Sequence, residues 1–238
     1  MLTVENGYYP HYGKDPELLS LVPSNLKVIR TWERNAFPKL YRRILTSTVK
    51  KAGVTPKALQ SKEAYKPSKL FSLLLRIRDD SLFFPDVHRG WVKPAIKAGE
   101  QIINAEKNIK LIFAGGHPWS VFLVGAQLKE EFHLPLVLDL RDPWTTHPAI
   151  YGRTTAKNKR LEKHLFQLAD RIILATENMK KAYCQVYPGE ICHKMLVIRN
   201  GFDPGIIELA ESKSVTRDKM VIVHTGRLPT ISSHILIA

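Results

Sequence analysis

The stretch from Leu111 to Trp144 constrains this chain most. An apolar run, LIFA, leads directly into GGHPWS, and an apolar-faced helical pattern follows. A second apolar run, LPLVLDL, leads into RDPW. Strand, loop, helix, strand, loop is the grammar of half a parallel α/β sheet. Both decorated loops then fall at the carboxyl ends of neighbouring strands, the edge where open α/β sheets bind ligands.

The same alternation continues downstream. Segments 109–114, 135–140, 171–175 and 195–200 read as strands, and 118–132, 154–168 and the segment from Thr176 onward read as helices. The order β-α-β-α-β-α-β predicts an α/β fold: a Rossmann-like parallel sheet with helices on both faces. Upstream, residues 1–5 and 27–31 read as short strands, and Asp15 and Pro16 open a short helix between them. FPDVHRGW begins in a loop that runs into a helix ending near Lys107. Downstream, 203–219 is polar and connecting, and MVIVHTG at 220–226 is a further strand. The expected domains are 1–205, a Rossmann-like unit; 206–219, a linker; and 220–238, the start of a second, truncated unit.

Charge is concentrated. The net charge is +14, yet Lys27 to Arg78 alone holds 14 basic and two acidic residues. Within it, FPKLYRRILTSTVKK and SKLFSLLLRIRD place apolar residues at helical spacing between basic ones. Such a segment attracts polyanions, either nucleic acid or an anionic membrane surface. It reads equally as a solvated helical surface. An aromatic-basic platform for nucleic acid is missing, which weighs against that partner. No apolar run reaches the ~20 residues of a membrane span, and the first residues do not read as a signal peptide. Cys184 and Cys192 fit no metal set or secreted disulfide framework, so two ordinary thiols in a reducing cytoplasm are expected.

Several constellations could carry chemistry. In GGHPWS, Gly115 and Gly116 allow a sharp turn, and Ser120 opens a helix whose N-terminus favours an anion or polyhydroxyl ligand. His117 at the mouth could donate a hydrogen bond or transfer a proton. In RDPW, Asp142 could orient a hydroxyl or bond Arg141, and Trp144 offers a ring face to a sugar. Each has a plain structural alternative: a tight strand-to-helix turn, a local ion pair for Arg141, a capped turn at Asp142, and Trp144 in the core. Asp139, inside the strand, reads as a satisfied carboxylate. Asn200-Gly201 is a turn signal that could bring backbone to a ligand. Thr225, Gly226 and Arg227 could cradle a phosphate. The signatures GxxxxGK[ST], HExxH and GxSxG are missing, and the histidines show no metal-ligand spacing.

In order along the chain, FPDVHRGWVKPAIKAG, IFAGGHPWSVFLVGAQL, LPLVLDLRDPW, LEKHLFQLADRIILATENM, VIRNGFD and VIVHTGRL resemble the family 4 glycosyltransferases of the GT-B fold. The resemblance spans roughly 84–228. It implies an acceptor-type N-terminal domain and retaining transfer from a nucleotide-sugar, a co-substrate, to a polysaccharide or lipid-linked acceptor. It implies no metal and no resident cofactor; with the cysteine usage and the basic segment 27–78, a cytoplasmic protein, peripheral on an anionic membrane, is expected. His117 would lie near the transferred sugar as the catalytic candidate. Gly115, Gly116, Trp119, Ser120, Arg141, Asp142, Trp144, Asn200 and Gly201 would line the substrate side. Thr225, Gly226 and Arg227 would approach the donor phosphates. The family's chain normally begins one strand earlier and continues into a full donor domain. A chain lacking both is expected to expose sheet edges and to show little transferase activity alone.

Overall fold

The computed structural model describes residues 1–5, 22–33, 84–146 and 156–202. The predicted helices within 15–20 and 36–78, the connector 206–219 and the strand 220–226 lie outside the described residues. The chain divides into two compact units, 1–200 and 201–238. The first is described below.

It is an α/β unit built on parallel strands. β1 (Leu2–Val4) pairs in parallel with β2 (Ile29–Thr31). A 3-10 turn at Arg89–Trp91 leads into α1 (Val92–Ala105). Then come β3 (Ile112–Gly116), α2 (Ser120–Phe132), β4 (Leu136–Leu140), α3 (Ala156–Leu168), β5 (Arg171–Leu174), α4 (Glu177–Val186), α5 (Glu190–His193) and β6 (Met195–Val197). The second sheet runs β3-β4-β5-β6, all parallel. This is a Rossmann-like sheet flanked by helices.

Strand alternation sorts its side chains. Leu136, Leu138, Leu140, Ile172, Leu174 and Met195 share one face and are buried against α2, α3 and α4. This follows from the strand order, because successive right-handed crossovers between adjacent strands place their helices on one side. The other face carries Phe113, Val137, Asp139, Ile173 and Leu196, of which Phe113 and Leu196 are exposed. Asp139 and Ile173 on that face are buried.

Local chemistry sets the helix ends. Thr176 accepts a hydrogen bond from the Met179 amide through Oγ1 and starts α4, as its position predicts. His133 takes a left-handed conformation (φ 55°) and closes α2, its N–H donating to Lys129 O. The structure corrects the expectation of free thiols: Cys184 on α4 and Cys192 on α5 form a disulfide. Gly189, with φ 73°, turns the chain between them and returns α5 alongside α4.

Gly125 decides how closely α2 approaches the sheet. A Cβ there would lie 2.9 Å from Leu136 Cδ1 and 3.2 Å from Ala114 Cβ. Gly125→Ala gains helix propensity of about 1 kcal/mol but forces strand and helix apart. We expect a net loss of about 1–2 kcal/mol in chemical denaturation. An unchanged midpoint would show that the layer spacing can relax.

Candidate functional site

Three strand ends meet at the carboxyl edge of the four-stranded sheet. β3 ends at Gly116 and passes into His117; β4 ends at Leu140 and passes into Arg141 and Asp142; β6 passes into Ile198 to Asn200. His117 and Asp142 are both exposed and follow the ends of neighbouring strands.

The glycines belong to the strand rather than to a loop. Gly115 is exposed, while Gly116 is buried beneath Phe122, where a Cβ would sit 2.5 Å from the ring's Cζ. Glycine therefore lets the last strand residue lie flat on the aromatic core. The helix starts later than predicted, at Ser120, because Pro118 and Trp119 form the turn before it.

The N-terminus of α2 is already occupied. Asp86 reaches it from 34 residues upstream: Ser120 donates its amide to Asp86 Oδ2 at 2.7 Å and its hydroxyl to Oδ1 at 2.8 Å. The Val121 amide donates to Pro118 O and the Phe122 amide to Trp119 O. The expected anion cradle is thus satisfied by the chain's own carboxylate. Asp86 also accepts from the His88 amide at 2.8 Å, and the His88 ring contacts Glu33 Oε2 at 3.3 Å. Glu33 is buried. Asp86, His88 and Glu33 form a support that the sequence reading did not single out; FPDVHRGW carried the only hint, as an aspartate ahead of a helix.

Opposite electrostatics act on the two histidines. The hydrogen bond to Glu33 raises His88 above its ordinary 6.5, helped by the charges of Glu33 and Asp86 and opposed by burial. His117 is lowered below 6.5, chiefly because neighbouring protein desolvates one side of an otherwise exposed residue. The charge of His88 also lowers it, while Asp86 and Asp142 pull it back up. Near neutral pH, His117 is a neutral imidazole able to accept a proton. In an NMR titration the His117 ring is expected to titrate below 6.5 and the His88 ring above it. The reverse order would remove the electrostatic basis of the site.

Arg141 is a staple. Its Nε donates to Asp139 Oδ2 at 2.9 Å and its Nη2 to Asp139 Oδ1 at 2.5 Å. Its Nη1 donates to Ile198 O at 2.9 Å and to Asn200 Oδ1 at 3.3 Å. One guanidinium thereby ties the end of β4 to the segment after β6, across β5. Asp139 is the satisfied carboxylate that its position in the strand predicts.

The tryptophans offer no ring face to a ligand. Trp119 and Trp144 are buried and stack on each other, with centroids 4.9 Å apart and planes at 11°. His117 meets the Trp119 ring edgewise at 5.4 Å. The core alternative for Trp144 is the observed one.

Beneath RDPW lies a buried polar network. Glu162 on α3 is fully buried and accepts from the Thr145 amide at 3.1 Å, the Thr145 hydroxyl, the Tyr183 hydroxyl at 3.1 Å and the Tyr187 hydroxyl at 2.7 Å. The Trp144 amide donates to Tyr183 OH at 2.7 Å. Burial raises the Glu162 carboxyl above its ordinary 4.5, and the hydrogen bonds oppose that rise. Burial, then the nearby Glu162 charge, raises both tyrosine hydroxyls. The network fixes the backbone just after Asp142.

Gly201 is exposed and does not take a left-handed backbone conformation, so the tight bend expected of Asn200-Gly201 is not made at that glycine. Asn200 is held instead by Arg141. Thr225, Gly226 and Arg227 lie outside the described residues. Among the described residues, no group of three His, Cys, Asp or Glu side chains could hold a metal ion, and no helix is long and apolar enough to cross a membrane. No protein-family model matches the chain, and no curated protein matches it.

Proposed function

We propose that this chain is the acceptor-side part of a glycosyltransferase-like protein, handling a carbohydrate or lipid-linked acceptor in transfer from a nucleotide-sugar. One observation carries the reading: His117 and Asp142 are both exposed and follow the carboxyl ends of two paired parallel strands, near enough for the Asp142 charge to act on the imidazole. A neutral imidazole and a carboxylate at the same sheet edge can accept and orient sugar hydroxyls. Arg141 and Glu162 hold the strand ends that carry the pair. Arg141, Trp119 and Trp144 are positioning and packing groups in this reading, not ligand contacts.

The test is ligand-observed NMR with a panel of short oligosaccharides and uridine- or guanosine-diphosphate sugars. Saturation transfer to an oligosaccharide, lost in His117→Ala and in Asp142→Ala with the fold intact, is the expected result. Transfer that survives both substitutions would place carbohydrate elsewhere and defeat the proposal.

The concentration of positive charge within 27–78 favours a second, compatible reading, in which that segment meets an anionic membrane surface. Of its basic residues, Lys27 and Arg30 are described, and Lys27 pairs with Glu106 at 2.5 Å.

A further inference from the structure

The Cys184–Cys192 disulfide adjoins the buried Glu162 network and is open to solvent. Cys184 lies on the last turn of α4, between Tyr183 and Tyr187, whose hydroxyls both donate to Glu162. Cys192 lies on α5, between the turn at Gly189 and the start of β6. Both cysteines are only partly buried, and Gln185, Val186, Pro188, Glu190 and His193 around them are exposed. A small thiol in solution can therefore reach the pair. Lys180 and Lys181 stand one turn before Cys184 on α4, on its side of the helix. Cations so placed favour the approach of an anionic thiolate and the release of another.

The cross-link holds a short segment. α5 is one helical turn, and a single turn does not sustain itself, because nucleation costs more than its first hydrogen bonds return. It is anchored by the burial of Ile191, by the amides of His193 and Lys194 donating to Gly189 O and Glu190 O, and by the disulfide to α4. Tyr187 ends α4 with its N–H donating to Tyr183 O at 2.7 Å. The bridged cysteines are 8 residues apart in sequence, and so small a loop constrains a local segment rather than the whole chain. The ladders joining β3, β4 and β5 are made without this segment.

We propose that Cys184 and Cys192 are a reversible redox modification site, reduced and re-formed by small thiols and their disulfides, whose state sets how firmly the Tyr187 end of α4 supports Glu162. The reductant is a monothiol of the glutathione class. Its thiolate attacks one protein sulfur, forming a mixed disulfide and releasing the other cysteine as a thiolate. A second thiol attacks the mixed disulfide, and the products are two protein thiols and one small disulfide. Two electrons and two protons pass from the two small thiols to the cysteine pair, and the small disulfide is the oxidant of the reverse reaction. In the reduced form α5 and the last turn of α4 open together. Tyr187 then leaves Glu162 for part of the time, and the acceptor of the Thr145 amide loses a partner.

The test places the full chain in buffers of reduced and oxidised glutathione at fixed pH. Acid quenching, alkylation and mass spectrometry count its free thiols, and amide hydrogen exchange is read in the same buffers. The pair is expected to open in excess reduced glutathione and to close again in excess oxidised glutathione. On opening, the Tyr187, His193 and Lys194 amides should exchange about tenfold faster and the Thr145 amide about threefold faster, with the amides of β4 and β5 unchanged. The double variant Cys184→Ser with Cys192→Ser should show the fast rates in both buffers. Four results would overturn the proposal. The pair stays closed in excess reduced glutathione, or fails to close again. Reduction speeds exchange in β4 and β5 as well, which marks a cross-link that the whole fold needs. Exchange at Tyr187, His193, Lys194 or Thr145 is the same in both states. The double variant still responds to the buffer, which places the sensitivity elsewhere.

Discussion

Glu162→Leu is expected to lower the stability of the fold by about 3 kcal/mol or more, enough to unfold a marginal domain. The side chain is fully buried and accepts four hydrogen bonds. Leucine fills the volume but leaves the Thr145 amide and three hydroxyl groups without their acceptor. Each buried orphan costs about 1–3 kcal/mol, reduced where a hydroxyl rotates to another partner. Glu162→Gln should be milder, at about 1–2 kcal/mol, because the hydroxyls of Tyr183, Tyr187 and Thr145 can turn to accept from the new amide.

The same residue gives a pH signature. Its native carboxyl is raised above 4.5, so between that value and the raised one the folded chain binds the proton that the unfolded chain has lost. The contribution of Glu162 to stability is then full below the unfolded pKa and is lost as pH rises through the folded one. Urea midpoints measured from about pH 4 to about pH 7 should show this decline in the parent chain and a flatter profile in Glu162→Gln. Identical profiles would mean that the carboxylate carries no such linkage.

Arg141→Ala is the second large effect, expected at about 2 kcal/mol. It strips Asp139 of both donors of its fork and releases Ile198 O and Asn200 together. The guanidinium is one-third exposed and the Asp139 side chain 12% exposed, which holds the loss below that of a fully buried pair. Arg141→Lys keeps the charge but not the fork and should recover less than half. Adding Asp139→Asn to Arg141→Ala should restore part of the loss, because the stranded charge disappears with its partner. Strict additivity in that double-mutant cycle would show that the two residues do not stabilise each other. Hydrogen exchange at residues 198–200 should rise in each Arg141 variant.

Much of the fold was legible because periodicity carries it. LPLVLDL and RIIL read as buried strands, and the runs between them read as helices with one apolar stripe. Helix starts were legible where the cap is local, as at Thr176. The start of α2 was misplaced because its cap, Asp86, comes from a distant loop. Glu162 was invisible for a similar reason. In LEKHLFQL it looks like one more charge on a basic helix, and only the convergence of Thr145 with Tyr183 on α4 and Tyr187 just past its end makes it central. Trp144 carried both readings, a sugar-facing ring and a core residue, and packing chose the second by stacking it on Trp119. Cys184 and Cys192 looked unrelated because eight residues of separation say nothing until Gly189 reverses the chain.

His117 sits between two anchored neighbours. Before it, Gly116 is wedged against the Phe122 ring; after it, Ser120 is pinned twice by Asp86. The backbone there has little room to travel, so what remains to the imidazole is torsion about its own side-chain bonds. Motion at this edge should therefore be quick and small, on the picosecond-to-nanosecond scale of an exposed ring, rather than the slow swing of a hinged flap. Any ligand would meet a stiff rim, with the imidazole packed edgewise on Trp119.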